Sequence, residues 1–182
     1  MIDTLKDTLS KVNEWVKFAE AKNAANIAFC STAIFSLMRM VSGEDCLNGF
    51  LLYYSIGVIV CFSLSLIISL FSFVPKLEAP WLHIGSRDEK DNVLYFGHAC
   101  KYSAASYLDK LYSGEPHKSK NHDLEIAYSN QIVVNSKVAF IKFKQFDLAL
   151  WFTITAILSP IGTLIVAAMR SSKLANSPKT LL

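Results

Sequence analysis

The chain has 182 residues, of which 52% are hydrophobic and 18% are charged, with a formal net charge of +3. Its long hydrophobic runs leave only residues 75–147 as a possible folded soluble region, which excludes two soluble domains. The four cysteines and four histidines show neither a CxxC pair nor the ligand spacing of a zinc site, so we predict neither a disulfide framework nor a metal centre.

Residues 1–23 predict an amphipathic N-terminal helix. Apolar residues recur at spacings of three and four, and they are Ile2, Leu5, Leu9, Val12, Val16 and Ala19. Such a seam can pair helices or lie on a membrane, and it can equally pack on the chain's own soluble region. Trp15 and Phe18 flank the seam and would suit a membrane interface. Mixed acids and lysines here do not resemble a cleavable signal peptide, so we expect the N-terminus to be retained.

Residues 24–74 predict a two-helix transmembrane hairpin. The run from Gly49 to Val74 holds 26 residues without a charge, where about 20 suffice to cross a bilayer as a helix. The run from Ala24 to Val41 is shorter, and its one charge, Arg39, can snorkel to the interface. We expect small residues of the second span, such as Ser55, Gly57, Ser63 and Ser65, to allow close helix approach and assembly.

Residues 75–147 predict a small region of short helices and loops. Pro75 ends the second span, and the segment NVLYFG fits an extended strand or a buried turn. Ser103 can cap a helix that Gly114 and Pro116 close. A second, long helix is expected from about Leu124 into the last hydrophobic segment.

Residues 148–182 hold the third hydrophobic segment and the tail. Residues 148–169 carry no charge, but Ser159, Pro160 and Gly162 could kink a spanning helix or turn it into a re-entrant hairpin. The predicted fold class is therefore an all-α membrane protein: an N-terminal amphipathic helix, two transmembrane helices, a small cytoplasmic helical region, and a long helix running into a third hydrophobic segment.

The distribution of basic residues predicts the orientation. Ten of the eighteen lysines and arginines lie in residues 75–147, and none lies in residues 42–48. The positive-inside rule places the N-terminus and residues 75–147 in the cytoplasm, so that Cys46 is outside and Cys100 inside. Arg170, Lys173 and Lys179 in the tail disagree mildly with three full spans.

No catalytic motif is present: the chain has no GxSxG elbow, P-loop or HExxH, and we expect neither an enzyme nor a cofactor. The composition favours ligand binding over catalysis. The soluble region combines aromatic side chains with amides and cations, which could stack a base, read its edge and hold a phosphate. The alternative is a small aromatic core with lysines in water. The aromatic side chains are Tyr95, Phe96, Tyr102, Tyr107, Tyr112 and Tyr128. The amides are Asn92, Gln131 and Asn135, and the cations are Arg87, Lys101 and Lys137.

Several segments resemble the membrane effector family of bacterial Pycsar antiphage systems. They are AEAKNAANIAF, NVLYFGHACKYSAASYLDKL and DLEIAYSNQIVVNSKVAFIKFKQF. The matching positions are Lys22 and Asn23, Asn92, Tyr95 to Gly97, Tyr107 and Leu108, Asp123 and Leu124, Gln131 and Ile132, and Lys137.

The resemblance implies a multi-pass effector of the bacterial inner membrane that senses a cyclic nucleotide of the cUMP or cCMP class. A partner cyclase would make the nucleotide during infection, and the effector would then disrupt the membrane and arrest growth or kill the cell. We expect a homo-oligomer and no nucleic-acid partner. The predicted ligand-binding residues are Asn92, Tyr95, Phe96, Asn135 and Lys137. A holin-like or structural small membrane protein without a nucleotide ligand is the alternative.

Overall fold

The computed structural model describes residues 2–43, 49–74, 84–112 and 122–175, with side chains as far as residue 162. Within these ranges the chain forms five α-helices and no strand, which confirms the all-α class. The helices are α1 (Ile2–Val41), α2 (Gly49–Phe71), α3 (Phe96–Ala99), α4 (Ala104–Leu111) and α5 (His122–Ala175). Three of them, α1, α2 and α5, are long and apolar enough to cross a membrane.

The chain divides into two compact units. The first unit comprises Met1–Ala25 and Ile68–Asp147, and the second comprises Asn26–Ile67 and Leu148–Leu182. The long helices α1, α2 and α5 each contribute residues to both units. Helix α1 is continuous, so no helix end separates the predicted amphipathic segment 1–23 from the predicted first span.

In the first unit, the N-terminal seam packs on the chain's own core. Leu5 and Val12 are fully buried and Leu9 packs beside them. Their partners come from the loop before α3 and from α3, α4 and α5, and include Val93, Ala99, Tyr102, Tyr107, Leu108, Ile132 and Val133. This packing confirms the alternative that the seam packs on the chain's own soluble region, because its central residues bury their apolar area within one chain. Self-assembly of the protein stays a prediction.

The segment NVLYFG forms a turn leading into α3, so its reading as a turn is confirmed and its reading as a strand is wrong. Gly97 allows the Tyr95 ring to pack closely on the turn, since an added Cβ would lie 2.5 Å from Cε1 of that ring. Helix α4 begins as predicted at Ser103, whose hydroxyl accepts the backbone N–H of Ser106 in a capping box. Gly114, Pro116 and Pro75 lie outside the described residues.

In the second unit, α2 packs antiparallel to both α1 and α5. Asn26 of α1 donates to Ser65 of α2 at 2.9 Å, and the Ser65 hydroxyl donates to the Ala149 carbonyl of α5 at 2.8 Å. At the other end, the hydroxyls of Tyr54 and Ser159 lie 2.7 Å apart. Of the small residues expected to allow helix approach, Ser55 and Ser65 are buried within one chain, Ser63 is partly buried, and Gly57 is exposed.

Helix α5 runs through Pro160 without a break, so the segment is not a hairpin within residues 122–175. A proline in a helix leaves the carbonyl four residues earlier without its N–H donor. Here the Ser159 hydroxyl donates to that carbonyl, on Ala156, at 3.1 Å. The Ser159 hydroxyl therefore replaces the N–H donor that Pro160 lacks. Hydroxyl side chains satisfy free carbonyls in this way and so allow proline in a spanning helix.

Candidate functional site

The predicted ligand residues before α3 form a turn. The side-chain oxygen of Asn92 accepts the backbone N–H of Leu94 at 3.0 Å, and the backbone N–H of Asn92 donates to Nδ1 of His98 at 2.9 Å. Tyr95 is about half exposed, whereas Phe96 is only 7% exposed, and their ring centroids lie 4.7 Å apart. The Tyr95 ring is thus accessible to a ligand in this conformation, and the buried Phe96 ring packs against it.

Asn135 lies against α1. Its side-chain N–H donates to Oδ1 of Asn13 at 2.7 Å, and its own Oδ1 accepts from Gln131 at 3.0 Å. These amides join α1 to α5 through a chain of hydrogen bonds. The side chains of Gln131 and Asn135 therefore have partners inside the first unit.

Lys137 lies near Cys100. Burial raises the pKa of the Cys100 thiol to about 11, and the positive charges of Lys101 and Lys137 oppose that rise. A buried thiol with a raised pKa packs in the core as a small apolar side chain. Among the described residues, no hydrogen bond or ion pair occupies the Lys137 ammonium. The five predicted residues remain a predicted ligand set. Tyr95 contacts the Phe96 ring and donates its backbone N–H to the Asn92 carbonyl at 3.0 Å, whereas Asn135 and Lys137 of α5 make separate contacts.

An aromatic cluster of α1, α3 and α5 connects to this set. The Phe96 ring stacks on Phe143 at 5.3 Å and lies 5.5 Å from Trp15, which itself lies 6.1 Å from Phe18. Lys22 places its ammonium over the Phe18, Phe143 and Phe146 rings at 4.6, 5.5 and 5.3 Å. On one side, the cluster is therefore packed by stacked rings and by a cation over them.

The other side of the cluster is open. Trp15 and Phe18 are 42% and 48% exposed. They line a groove of about 480 Å³ together with Lys11 and Glu14, all four from one face of α1. In the described part of the chain, Lys11 and Glu14 have neither an ion pair nor a side-chain hydrogen bond. We call this surface the α1 groove.

Sequence reasoning missed the α1 groove as a binding surface. The sequence pattern assigns Trp15 and Phe18 to a membrane interface and confines the predicted ligand residues to residues 75–147. A signal is present in the spacing of Lys11, Trp15, Phe18 and Lys22, which at four, three and four residues places two cations and two rings on one helix face. What the sequence does not contain is the packing of Phe96 and Phe143 behind that face.

Asp91 organises the loop that carries Asn92 and Tyr95. Its carboxylate accepts from Lys101 at 2.8 Å, from the Asp88 N–H at 2.9 Å and from the Tyr102 hydroxyl at 3.2 Å. The Lys101 ammonium and then the Asp88 N–H lower the pKa of Asp91 to about 2. All three donors lie within residues 88–102, so the Asp91 carboxylate links the two ends of this segment by hydrogen bonds.

Lys142 ties three helices together inside the first unit. Its ammonium donates to the Ser72 carbonyl at 2.8 Å and pairs with Glu20 of α1 at 3.1 Å. Ser72 directly follows the last residue of α2, and the last turn of α2 has no basic residue. Lys142 therefore supplies a positive charge at the C-terminal end of α2, where a cation is favourable. Beside it, buried Asn23 donates to the Ala19 and Lys142 carbonyls, which explains an asparagine at that position.

The described residues contain no group of three or more His, Cys, Asp or Glu side chains that could hold a metal. His83, His117 and Cys46 lie outside the described ranges. On α1, the aromatic rings of Trp15 and Phe18 lie beside two lysines, Lys11 and Lys22, and the Glu14 carboxylate.

Comparison with known proteins identifies the family of this chain. The family model of the Pycsar effector protein domain matches residues 4–169. The chain is 35% identical over 143 residues to the Pycsar effector protein RsPycTM of a Rhizobium species, covering 73% of this chain and 77% of that protein. No solved structure matches. The chain thus belongs to the Pycsar effector family, and it is a transmembrane effector of antiphage defence.

Proposed function

We propose that this protein is an inner-membrane effector that binds a cyclic nucleotide of the cUMP or cCMP class and then disrupts the membrane. A cyclase partner would supply the nucleotide, and the effector itself would act by binding and not as an enzyme. The family membership supports the pairing with a cyclase and with nucleotide signalling. Growth arrest or cell death would follow from loss of the membrane barrier.

The observation that carries the proposal is the α1 groove. A cyclic nucleotide offers a flat base, donors and acceptors on the base edge, and one negative charge on the phosphate. The groove offers exposed rings of Trp15 and Phe18, the Glu14 carboxylate and the Lys11 ammonium. Its volume of about 480 Å³ lies in the range of small-molecule sites.

We further propose that the first unit is cytoplasmic. Its segment 75–147 holds ten of the eighteen basic residues, which the positive-inside rule places inside. Three spans would then put the tail beyond α5 on the outer side. Labelling of single-cysteine variants in intact cells checks this: a reagent that cannot cross the membrane should modify Cys46 and spare a cysteine replacing exposed Lys90.

Ligand binding can change the second unit because α1, α2 and α5 each run through both units. A ligand shifts a conformational equilibrium only by its difference in affinity for the two states. We propose that the nucleotide favours a state in which the three helices of several copies separate from their resting contacts and open the bilayer.

The experiment is a pair of measurements on the full chain. Titration calorimetry of the protein in detergent measures the affinity for cUMP and cCMP, and release of a dye from vesicles containing the protein measures membrane disruption. We expect binding of one nucleotide at micromolar concentration or below, and dye release that depends on it. Dye release without any nucleotide binding would contradict the proposal and favour a holin-like protein.

A further inference from the structure

We propose that the α1 groove is the nucleotide site and that it selects a cytosine base, with Glu14 as the residue that determines specificity. This inference rests on the proposed function, since it assigns the residues and the base preference of the same ligand. Trp15 and Phe18 stack the base, Glu14 accepts from its edge, and Lys11 meets the phosphate.

The stacking surface is held in place before any ligand arrives. Phe96 and Phe143 pack behind Trp15 at 5.5 and 6.1 Å, and Phe18 lies 6.3 Å from Phe143. A ring supported on one face and open on the other loses little side-chain freedom when a base lies on it. Preorganisation of this kind improves affinity by lowering the entropic cost of binding.

The two charges of the groove lie three residues apart on one face of α1, and neither has a partner among the described residues. A lysine and a glutamate at this spacing could pair with each other, yet here they stay separate and open. An anionic phosphate suits Lys11, and a base with a hydrogen-bond donor suits Glu14. The groove thus matches both ends of a nucleotide.

The carboxylate distinguishes the two pyrimidines. Cytosine presents an exocyclic amine, which donates to a carboxylate, as in protein contacts to cytosine N4. Uracil presents a single N–H between two carbonyl oxygens, and those oxygens repel a carboxylate that approaches the N–H. Glu14 therefore favours cytosine over uracil.

The decisive experiment compares the affinities of the full chain in detergent for cCMP and cUMP. We expect wild type to bind cCMP about tenfold more tightly than cUMP, because one hydrogen bond to a charged group is worth about that factor. Glu14→Gln, which keeps the shape and replaces the carboxylate by an amide that both donates and accepts, should bring the ratio close to one. Equal affinities in wild type, or a preference for uracil, overturn the assignment of Glu14.

Two matched pairs test the location. Trp15→Ala should weaken cCMP binding tenfold or more, whereas Trp151→Ala, which removes an exposed tryptophan from the second unit, should leave affinity unchanged. Lys11→Ala should weaken binding severalfold, and Lys17→Ala, an exposed lysine of the same helix outside the groove, should not. If wild type binds a nucleotide and Trp15→Ala and Lys11→Ala bind it equally well, the site lies elsewhere while the proposed function stands.

A membrane surface is the competing occupant of exposed Trp15 and Phe18. A variant with Trp81→Phe and Trp151→Phe keeps Trp15 as its single tryptophan, so its emission reports on the groove. In detergent, cCMP should quench Trp15 emission at the concentration where calorimetry shows binding. In nucleotide-free vesicles, strong quenching of Trp15 by brominated lipids would mean that the bilayer covers the groove, and would overturn the proposal. Absence of binding of any cyclic nucleotide to wild type would instead remove the proposed function itself.

Discussion

The two units of this chain differ in which side chains they bury and which they expose. The first unit buries rings and aliphatic side chains, such as Tyr107, Leu5 and Ile132, and exposes lysines and carboxylates. The second unit buries hydroxyls and an amide, such as Ser65, Thr153 and Asn26, and leaves large apolar side chains such as Phe50 and Trp151 on its outside. This difference is the one expected for a unit in water and a unit in lipid.

Different forces hold the two units. Burying apolar area stabilises the first unit because that area leaves water. The same burial gives the second unit little, since lipid tails are as apolar as leucine, so helix contacts there depend on close packing and interhelical hydrogen bonds. Substitutions chosen in each unit can test this comparison.

Tyr107→Ala should have the largest effect. Tyr107 is fully buried in the core of the first unit, and truncating a buried aromatic ring costs about 3–5 kcal/mol of unfolding free energy. Denaturant unfolding in detergent, followed by near-ultraviolet circular dichroism, measures the loss. Tyr107→Phe is the control: the hydroxyl is buried and has no hydrogen-bond partner among the described residues, so its removal should leave stability unchanged or raise it. A large loss on Tyr107→Phe would mean that the hydroxyl has a partner.

Lys142→Met should have the next effect. It removes the donor to the Ser72 carbonyl and leaves Glu20 without its partner. Because Glu20 is partly exposed and water can solvate it, we expect a cost of about 1–3 kcal/mol in unfolding free energy, below that of a fully buried pair. Thermal unfolding in detergent measures it. Lys144→Met on the same helix is the control, since Lys144 is exposed and its ammonium lies over the Phe140 ring without an ion pair to another described residue. Equal effects of the two variants would refute the role of Lys142.

Ser65→Ala should have a smaller effect in the second unit. It removes the hydroxyl that joins Asn26 of α1 to the Ala149 carbonyl of α5. Interhelical hydrogen bonds in membranes contribute about 0.5–1.5 kcal/mol, so the loss should lie in that range. Steric trapping in detergent can measure helix separation. Ser63→Ala is the matched control because Ser63 has no side-chain hydrogen bond in the described structure, and a Ser63→Ala loss as large as that of Ser65→Ala would argue against the hydrogen bond.

Acid should produce the smallest effect, confined to the first unit. The pKa of Asp91 is lowered from 3.8 to about 2 in the folded state. A carboxyl with a lowered folded pKa stabilises the fold above its unfolded pKa, and that stabilisation is lost as the pH falls through the folded value. The melting temperature should therefore decline between pH 4 and pH 2. Asp91→Asn should melt lower at neutral pH and show a shallower decline; an identical pH profile would exclude Asp91 as the titrating group.

The sequence alone determined the elements that depend on local pattern. An uncharged run of 26 residues predicts a membrane helix because a bilayer admits little else, and Ser103 predicts a helix start because its hydroxyl satisfies a free backbone N–H. The all-α class and the family also follow from short, recognisable segments. These inferences need no knowledge of which helix lies beside which.

Where a sequence pattern is compatible with two structures, only the tertiary structure decided which of the two forms. The seam of Leu5 and Val12 suits another chain or the chain's own core, and burial beside Tyr107 selects the core. Ser159-Pro160 suits a hairpin or a spanning helix, and the bond from Ser159 to Ala156 allows the helix. The α1 groove exists because Phe96 and Phe143, 47 residues apart, meet behind Trp15. Contacts between distant residues form only when the backbone brings them together, so no local pattern of the sequence contains them.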